Sequence, residues 1–147
     1  MVDVFNESRK RLQEQLIVET AYYHFKYSRE ETPYSIALTY ISENDFDFNR
    51  YEKNLRIDDK IILLHPNLCA IVFDGTTEEQ GLKAAEHLLY HVQDICFTKH
   101  IYMAIVTVNS NETQFQTVHD LFDLLSYALN HNMDNSVIER SQIIKND

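Results

Sequence analysis

Two rhythms of apolar and polar positions run along this chain. Between residues 3 and about 28, Val4, Phe5, Leu12, Leu16, Ile17, Tyr23 and Tyr27 recur at roughly helical spacing among charged and amide residues. Glu30-Glu31-Thr32-Pro33 ends that helix, because Pro33 disfavours helical backbone at Thr32. Tyr34 to Ser42 then reads as a strand. It carries apolar or aromatic groups on both faces, which predicts a central place in a covered sheet. Asn44 to Arg56 is polar, with Phe46, Phe48, Tyr51 and Leu55 interspersed. It predicts a helix of about three turns, capped by Asn44 or Asp45.

Two apolar runs follow, Ile61 to Leu64 and Leu68 to Phe73, flanking His65-Pro66-Asn67. That is the pattern of a strand, a tight turn and a second strand. Asp74-Gly75-Thr76-Thr77 closes the hairpin, and Thr77 with Gln80 forms a capping-box pattern for the next helix. Leu82, Ala85, Leu88, Leu89 and Val92 give that helix one apolar stripe. Ile101 to Val108 is a further strand and Asn109 to Gln114 a loop. Thr117 to about Asn130 is a helix, Ser136 to Glu139 a short last strand, and Arg140 to Asp147 a loose tail. After the leading helix the order is β-α-β-β-α-β, a ferredoxin-like core of the α+β class. Its sheet is expected to be mainly antiparallel with helices packed on it.

Composition narrows the function classes. With 147 residues, 44% of them hydrophobic, the chain suits one domain with its own core. A net charge of −10 and the lack of a basic cluster argue against nucleic acid and against an anionic membrane surface as partners. No apolar stretch approaches a membrane span, and the N-terminus shows no signal pattern. Cys69 and Cys96, both in apolar runs, are expected as buried free thiols in a reducing cytosol. Only 2 glycines and 2 prolines are present, so Asn, Asp, Ser and Thr must build most turns.

The hairpin and its surroundings resemble the active-site hairpin of GGDEF domains, the bacterial diguanylate cyclases. Several stretches carry the resemblance in order along residues 20 to 140. Thr32-Pro33-Tyr34-Ser35-Ile36 is similar to the start of the family's first strand. Arg56-Ile57-Asp58-Asp59 stands five residues before the turn, where the family often has Arg-x-x-Asp. Glu78 to Glu86 is similar to the helix after the hairpin, and Met103 to Val108 to the following strand. Leu124 to Asn130 and His131 to Val137 resemble the closing helix and its Gly-x-Asn-x-Val segment. The resemblance implies residues 1–30 as an N-terminal helix, 31–140 as a shortened GGDEF-like, nucleotide-cyclase-like domain, and 141–147 as a tail.

The departures decide the function that the resemblance implies. His65, Pro66, Asn67, Leu68 and Cys69 stand where the family has Gly-Gly-Asp/Glu-Glu-Phe. Tyr40 and Ser42 stand where its metal-holding aspartates end the first strand, with Glu43 and Asp45 off the expected phase. Hard cations want carboxylate and carbonyl oxygens, and Pro66 replaces a glycine that lets the backbone approach a phosphate. About a dozen residues separate Ser42 from Arg56, where the family has two helices. The expectation is a catalytically inactive, degenerate domain with no catalytic residues, no metal and no cofactor, placed in the cytoplasm. It would act as a regulatory module with a protein partner or as a homodimer. The alternative is a cyclic di-GMP receptor that uses Arg56 and Asp59 as a guanine and phosphate clamp. A third reading is an enzyme with altered chemistry on the same frame.

Three further patterns weigh less. His87 and His91 stand at i and i+4, a spacing able to hold zinc, but without a third ligand they read as solvated side chains. Asp45-Phe46-Asp47-Phe48-Asn49 lacks the calcium-loop spacing and reads as a helix start. Adjacent Tyr22 and Tyr23 cannot both face inward, so one is expected at a contact or exposed.

Overall fold

The computed structural model describes residues 8–42, 47–95, 100–109 and 112–141. Its elements are α1 (Arg9–Glu30), β1 (Tyr34–Ile41), a 3₁₀ segment (Phe48–Asn54), β2 (Lys60–His65), β3 (Leu68–Asp74), α2 (Glu78–Ile95), β4 (Ile101–Val108), α3 (Gln114–Asn130) and β5 (Ser136–Glu139). The strands form one sheet in the order β2-β3-β1-β4-β5. The first four pair antiparallel and β5 runs parallel to β4. This is the α+β, ferredoxin-like arrangement expected from the sequence, extended by α3 and β5.

The register sorts the whole core by residue parity. Tyr34 pairs with Asp74 and with Val108, Lys60 with Val72, and Tyr102 with Ser136. Each pairing joins even with even, and side chains alternate along a strand, so all even positions share one face. Ile36, Leu38, Leu68, Ala70, Val72, Ala104 and Val106 build the core under α1 and α3. Odd positions, among them Ala37, Ile41, Cys69, Ile71, Phe73, Met103 and Ile105, build the core under α2 and Phe48. Both faces are therefore covered, as the two-sided apolar pattern of β1 predicts.

Leu12 and Leu16 seat α1 in the first core, 2% and 0% exposed. Each such burial stabilises by about 1.5–3 kcal/mol. The ion pair from Glu19 of the same helix to Lys60 of β2 joins side chains 41% and 43% exposed, and such a pair is worth about 1 kcal/mol at most. Apolar packing thus docks α1. The helix ends at Glu31, which adopts φ 56° and gives its N–H to the Tyr27 carbonyl. Asn132 and Asn135 also take positive φ. With glycine so scarce, these side chains fill the left-handed positions, as the composition predicts. The capping box forms as expected: the Thr77 N–H donates to Gln80 Oε1 at 3.0 Å and the Gln80 N–H to Thr77 Oγ1 at 3.3 Å.

Three expectations need correction. The predicted three-turn helix before the hairpin is a 3₁₀ segment of 7 residues, capped by Asp47 through the Asn49 N–H. Among its described side chains Phe48 is the fully buried one, and so polar a segment does not sustain a longer helix on the sheet. The last helix starts at Gln114, one turn earlier than its apolar stripe suggests, because Thr113 caps it through the Gln116 N–H. Arg140 is fixed rather than loose. Its guanidinium donates to Glu112 and reaches Asp120 at 3.0 Å. Burial alone would lower the Arg140 pKa, but Glu112 and Asp120 together raise it. Val4, Phe5, Glu43, Asn44, Asp45, Phe46, Cys96 and residues 142–147 lie outside the described residues.

At one edge of the sheet, β2 is paired on one side only, and its register with β3 shifts between Leu63 and His65. That bulge ends the regular parity just before the hairpin turn. Among the described residues, no helix is long and apolar enough to cross a membrane.

Candidate functional site

One end of the sheet gathers the end of β1, the β2–β3 turn and the starts of β4 and β5. The turn is tied down by its own side chains. Asn67 donates its side-chain N–H to the Ile41 carbonyl at 2.8 Å, and the Ile41 N–H returns a bond to the Asn67 carbonyl at 3.0 Å. The Asn67 N–H is spent on His65 Nδ1 at 3.2 Å. Pro66 has no N–H to offer. The turn therefore presents no free amide at either of its central residues.

Next to it, Ser42 exchanges hydrogen bonds with the backbone of His100. His100 Nδ1 lies 2.6 Å from Asp134 Oδ2. The Tyr40 and Tyr102 rings meet at 6.3 Å. Burial, then the Asp134 charge and Tyr40, hold the Tyr102 phenol above its ordinary pKa. A hollow of about 380 Å³ beside the tip is lined by Asp47, Phe48, Leu63, Leu64, His65 and Pro66. The carboxylate lining it, Asp47, caps the 3₁₀ segment. Tyr40, Ser42, His65 and Asn67 do not suit a hard divalent cation, which seeks several carboxylate or carbonyl oxygens. Among the described residues, this end of the sheet offers no carboxylate pair in the turn itself. Cys69 is wholly buried under α2, and burial pushes its thiol pKa well up.

Arg56 and Asp59 meet, but first as parts of one turn. Asp59 accepts the Arg56 N–H at 2.9 Å and the Arg56 guanidinium at 3.1 Å, and the same guanidinium nitrogen donates to the Asp74 carbonyl at 3.0 Å. The Asp59 side chain is 3% exposed and that of Arg56 58%. Asp59 is thus a fastening for the entry into β2, while Arg56 keeps donors facing solvent. Beside the pair, a cleft of about 400 Å³ runs between this turn and α2. Leu55, Phe73, Ala84 and Leu88 give it an apolar lining, and Arg56, Asp59, Lys83 and His87 a polar one, with Arg56 paired to Asp59 and Lys83 to Glu79.

This sheet order, with a hairpin beside the end of β1 and helices on both faces, matches known structures. The GGDEF domain of DgcB from Caulobacter crescentus, solved in complex with c-di-GMP, superposes with a TM-score of 0.69 over 86% of this chain and 89% of its own, at 11% identity. The fold is that of a GGDEF domain. The active GGEEF domain of a Vibrio cholerae diguanylate cyclase is also similar, with a TM-score of 0.62, 15% identity, and 86% and 94% of the two chains covered. So is the diguanylate cyclase SiaD from Pseudomonas aeruginosa, solved with its activator SiaC, at 0.65, 14% identity, and 86% and 57% covered. No family model and no curated protein sequence matches the chain.

On this GGDEF frame, the sequence places its candidates as follows. His65, Pro66 and Asn67 form the hairpin tip, and Leu68 and Cys69 open β3 with buried side chains. Arg56 and Asp59 lie together before β2. The sequence reading missed the far wall of the cleft. Lys83, Ala84, His87 and Leu88 line it from α2. Their i, i+1, i+4 and i+5 spacing marks one helix face, yet only the fold turns that face toward Arg56. The contact of His100 with Asp134 was also missed, since 34 residues separate them.

Proposed function

We propose that this chain is a non-catalytic GGDEF-fold domain that works by binding, as a regulatory or interaction module in bacterial signalling. The closed hairpin tip carries the reading. Phosphoryl transfer depends on positioning and on metal and charge stabilisation. Here the turn has a proline and an amide already donated to His65, and the side chain of Asn67 is bonded back to β1. The two central residues of that turn leave no backbone amide to cradle a phosphate. Incubation of the purified chain with GTP and magnesium is expected to give no cyclic di-GMP above a buffer control. Turnover above that control overturns the reading.

Binding to a protein is supported by α1. Val18, Tyr22 and Phe25 are 73%, 65% and 58% exposed and fall at i, i+4 and i+7 on one helix face. The likeness to SiaD, which is solved with an activator protein, supports the same view. A second copy of the chain would serve equally as the partner, and sizing of the purified protein separates the two.

A second reading is favoured by the cleft beside Arg56. An apolar lining beside the exposed Arg56 guanidinium suits a planar base joined to phosphate. The likeness to the DgcB domain, solved with c-di-GMP, supports cyclic di-GMP as the ligand to try. Added cyclic di-GMP is expected to raise the melting temperature with concentration, as any ligand of the folded state does. Arg56→Ala is expected to remove that rise. A melting temperature that ignores the nucleotide leaves the protein-binding reading alone.

A further inference from the structure

His87 and His91 lie on consecutive turns of α2, well inside the helix. Their Nε2 atoms face each other at 3.1 Å. The rings stand edge to face, with centroids 4.5 Å apart and planes at 82°. The Tyr90 ring stands edge-on to the His91 ring, with centroids 6.0 Å apart. His91 is half-buried and His87 exposed.

That separation is the bite of a chelate. Two imidazole nitrogens, each roughly 2.0–2.1 Å from one zinc ion, lie about 3.3 Å apart at a tetrahedral angle and about 2.9 Å at a right angle. The observed distance falls between these values. Side chains four positions apart share one helix face, so the α2 backbone brings both rings to the same place and binding fixes only their side-chain torsions. Imidazole pairs select borderline ions such as zinc, nickel and copper over magnesium and calcium.

We infer that His87 and His91 form a two-point chelating site for a borderline divalent transition-metal ion, Zn²⁺ foremost. Two histidines leave coordination positions open, so the ion is exchangeable and can take water or an anionic group. His87 also lines the cleft beside Arg56. The one three-group cluster of ligating side chains among the described residues, His119, Asp120 and Asp123, fits less well. Arg9 and Arg140 already neutralise Asp123 and Asp120. The inference is independent of the proposed function, since neither cyclase nor nucleotide assays bear on it.

The alternative state of the pair is an N–H···N hydrogen bond between neutral rings, and calorimetry separates the two. The tag-free 147-residue chain is titrated with zinc chloride at neutral pH, while histidine ring resonances are followed by NMR. One zinc per chain is expected, with the His87 and His91 rings shifting together. His87→Ala and His91→Ala are each expected to weaken binding by about tenfold or more. His119→Ala is expected to leave it unchanged. Absence of zinc binding by the wild type overturns the inference. So does binding that survives His87→Ala, or that is lost in His119→Ala.

Discussion

At the scale of single residues, a methyl group at Gly81 tests how α2 sits on the sheet. A Cβ there would stand 2.2 Å from Ser35 Oγ and 2.8 Å from Ser35 Cβ. Ser35 cannot step aside easily, because its hydroxyl bonds Thr76 at 2.8 Å and Thr107 at 2.7 Å in a buried triad. Helix propensity alone favours alanine over glycine by about 1 kcal/mol, whereas overpacking costs about 1–3 kcal/mol. Gly81→Ala is therefore expected to lower the urea midpoint. A raised midpoint would mean that α2 rides higher on the sheet. Cys69 makes a second prediction. Its buried thiol titrates later in the folded chain than in the unfolded one. The unfolded state then holds fewer protons once pH passes the ordinary thiol value of about 8.5, and stability falls as pH rises further. Below that value the contribution is fully present. Cys69→Ala is expected to flatten the alkaline decline, which urea melts across the pH range would measure.

At the scale of elements, the turn before β2 separates fastening from ligand binding. Asp59→Ala removes two hydrogen bonds to a carboxylate whose side chain is 3% exposed and is expected to cost about 1 kcal/mol in urea unfolding without any ligand. A residue kept only to hold a nucleotide would leave that midpoint unmoved. Sequence alone placed Arg56 and Asp59 side by side, since three residues fix a turn locally. It could not show that the Asp59 side chain is almost wholly covered, or that Arg56 also reaches the Asp74 carbonyl 18 positions away. The same division holds elsewhere. The Thr77–Gln80 box is a local contact and was legible. The shortness of the 3₁₀ segment was not, since it depends on how few of its side chains the sheet and α2 cover, Phe48 being the fully buried one among those described. The hairpin itself was legible from its two apolar runs, but the bonds that close its tip reach across to Ile41 in another strand.

At the scale of the whole molecule, the parity rule explains why the fold could be read so far. Both sheet faces are apolar, so strands appear as unbroken runs, and their order follows from a ferredoxin-like succession. The cleft and the histidine pair could be read only in part, because helix faces acquire neighbours from the tertiary fold. The exposed stripe on α1 gives a prediction at this scale. Tyr22→Glu with Phe25→Glu is expected to leave thermal stability within about 0.5 kcal/mol of wild type, as for surface changes generally. It is expected to shift any dimer to monomer in light scattering. An unchanged dimer would place the contact elsewhere. Finally, β2 leaves one rim of backbone groups without a neighbouring strand. Lys60 at its start and the kink before His65 make that rim charged and uneven, and Gln15 of α1 reaches the Leu63 carbonyl at 3.4 Å. Such a border is a poor template for stacking further chains, so the protein is expected to resist fibril growth even when its helices engage partners at high concentration.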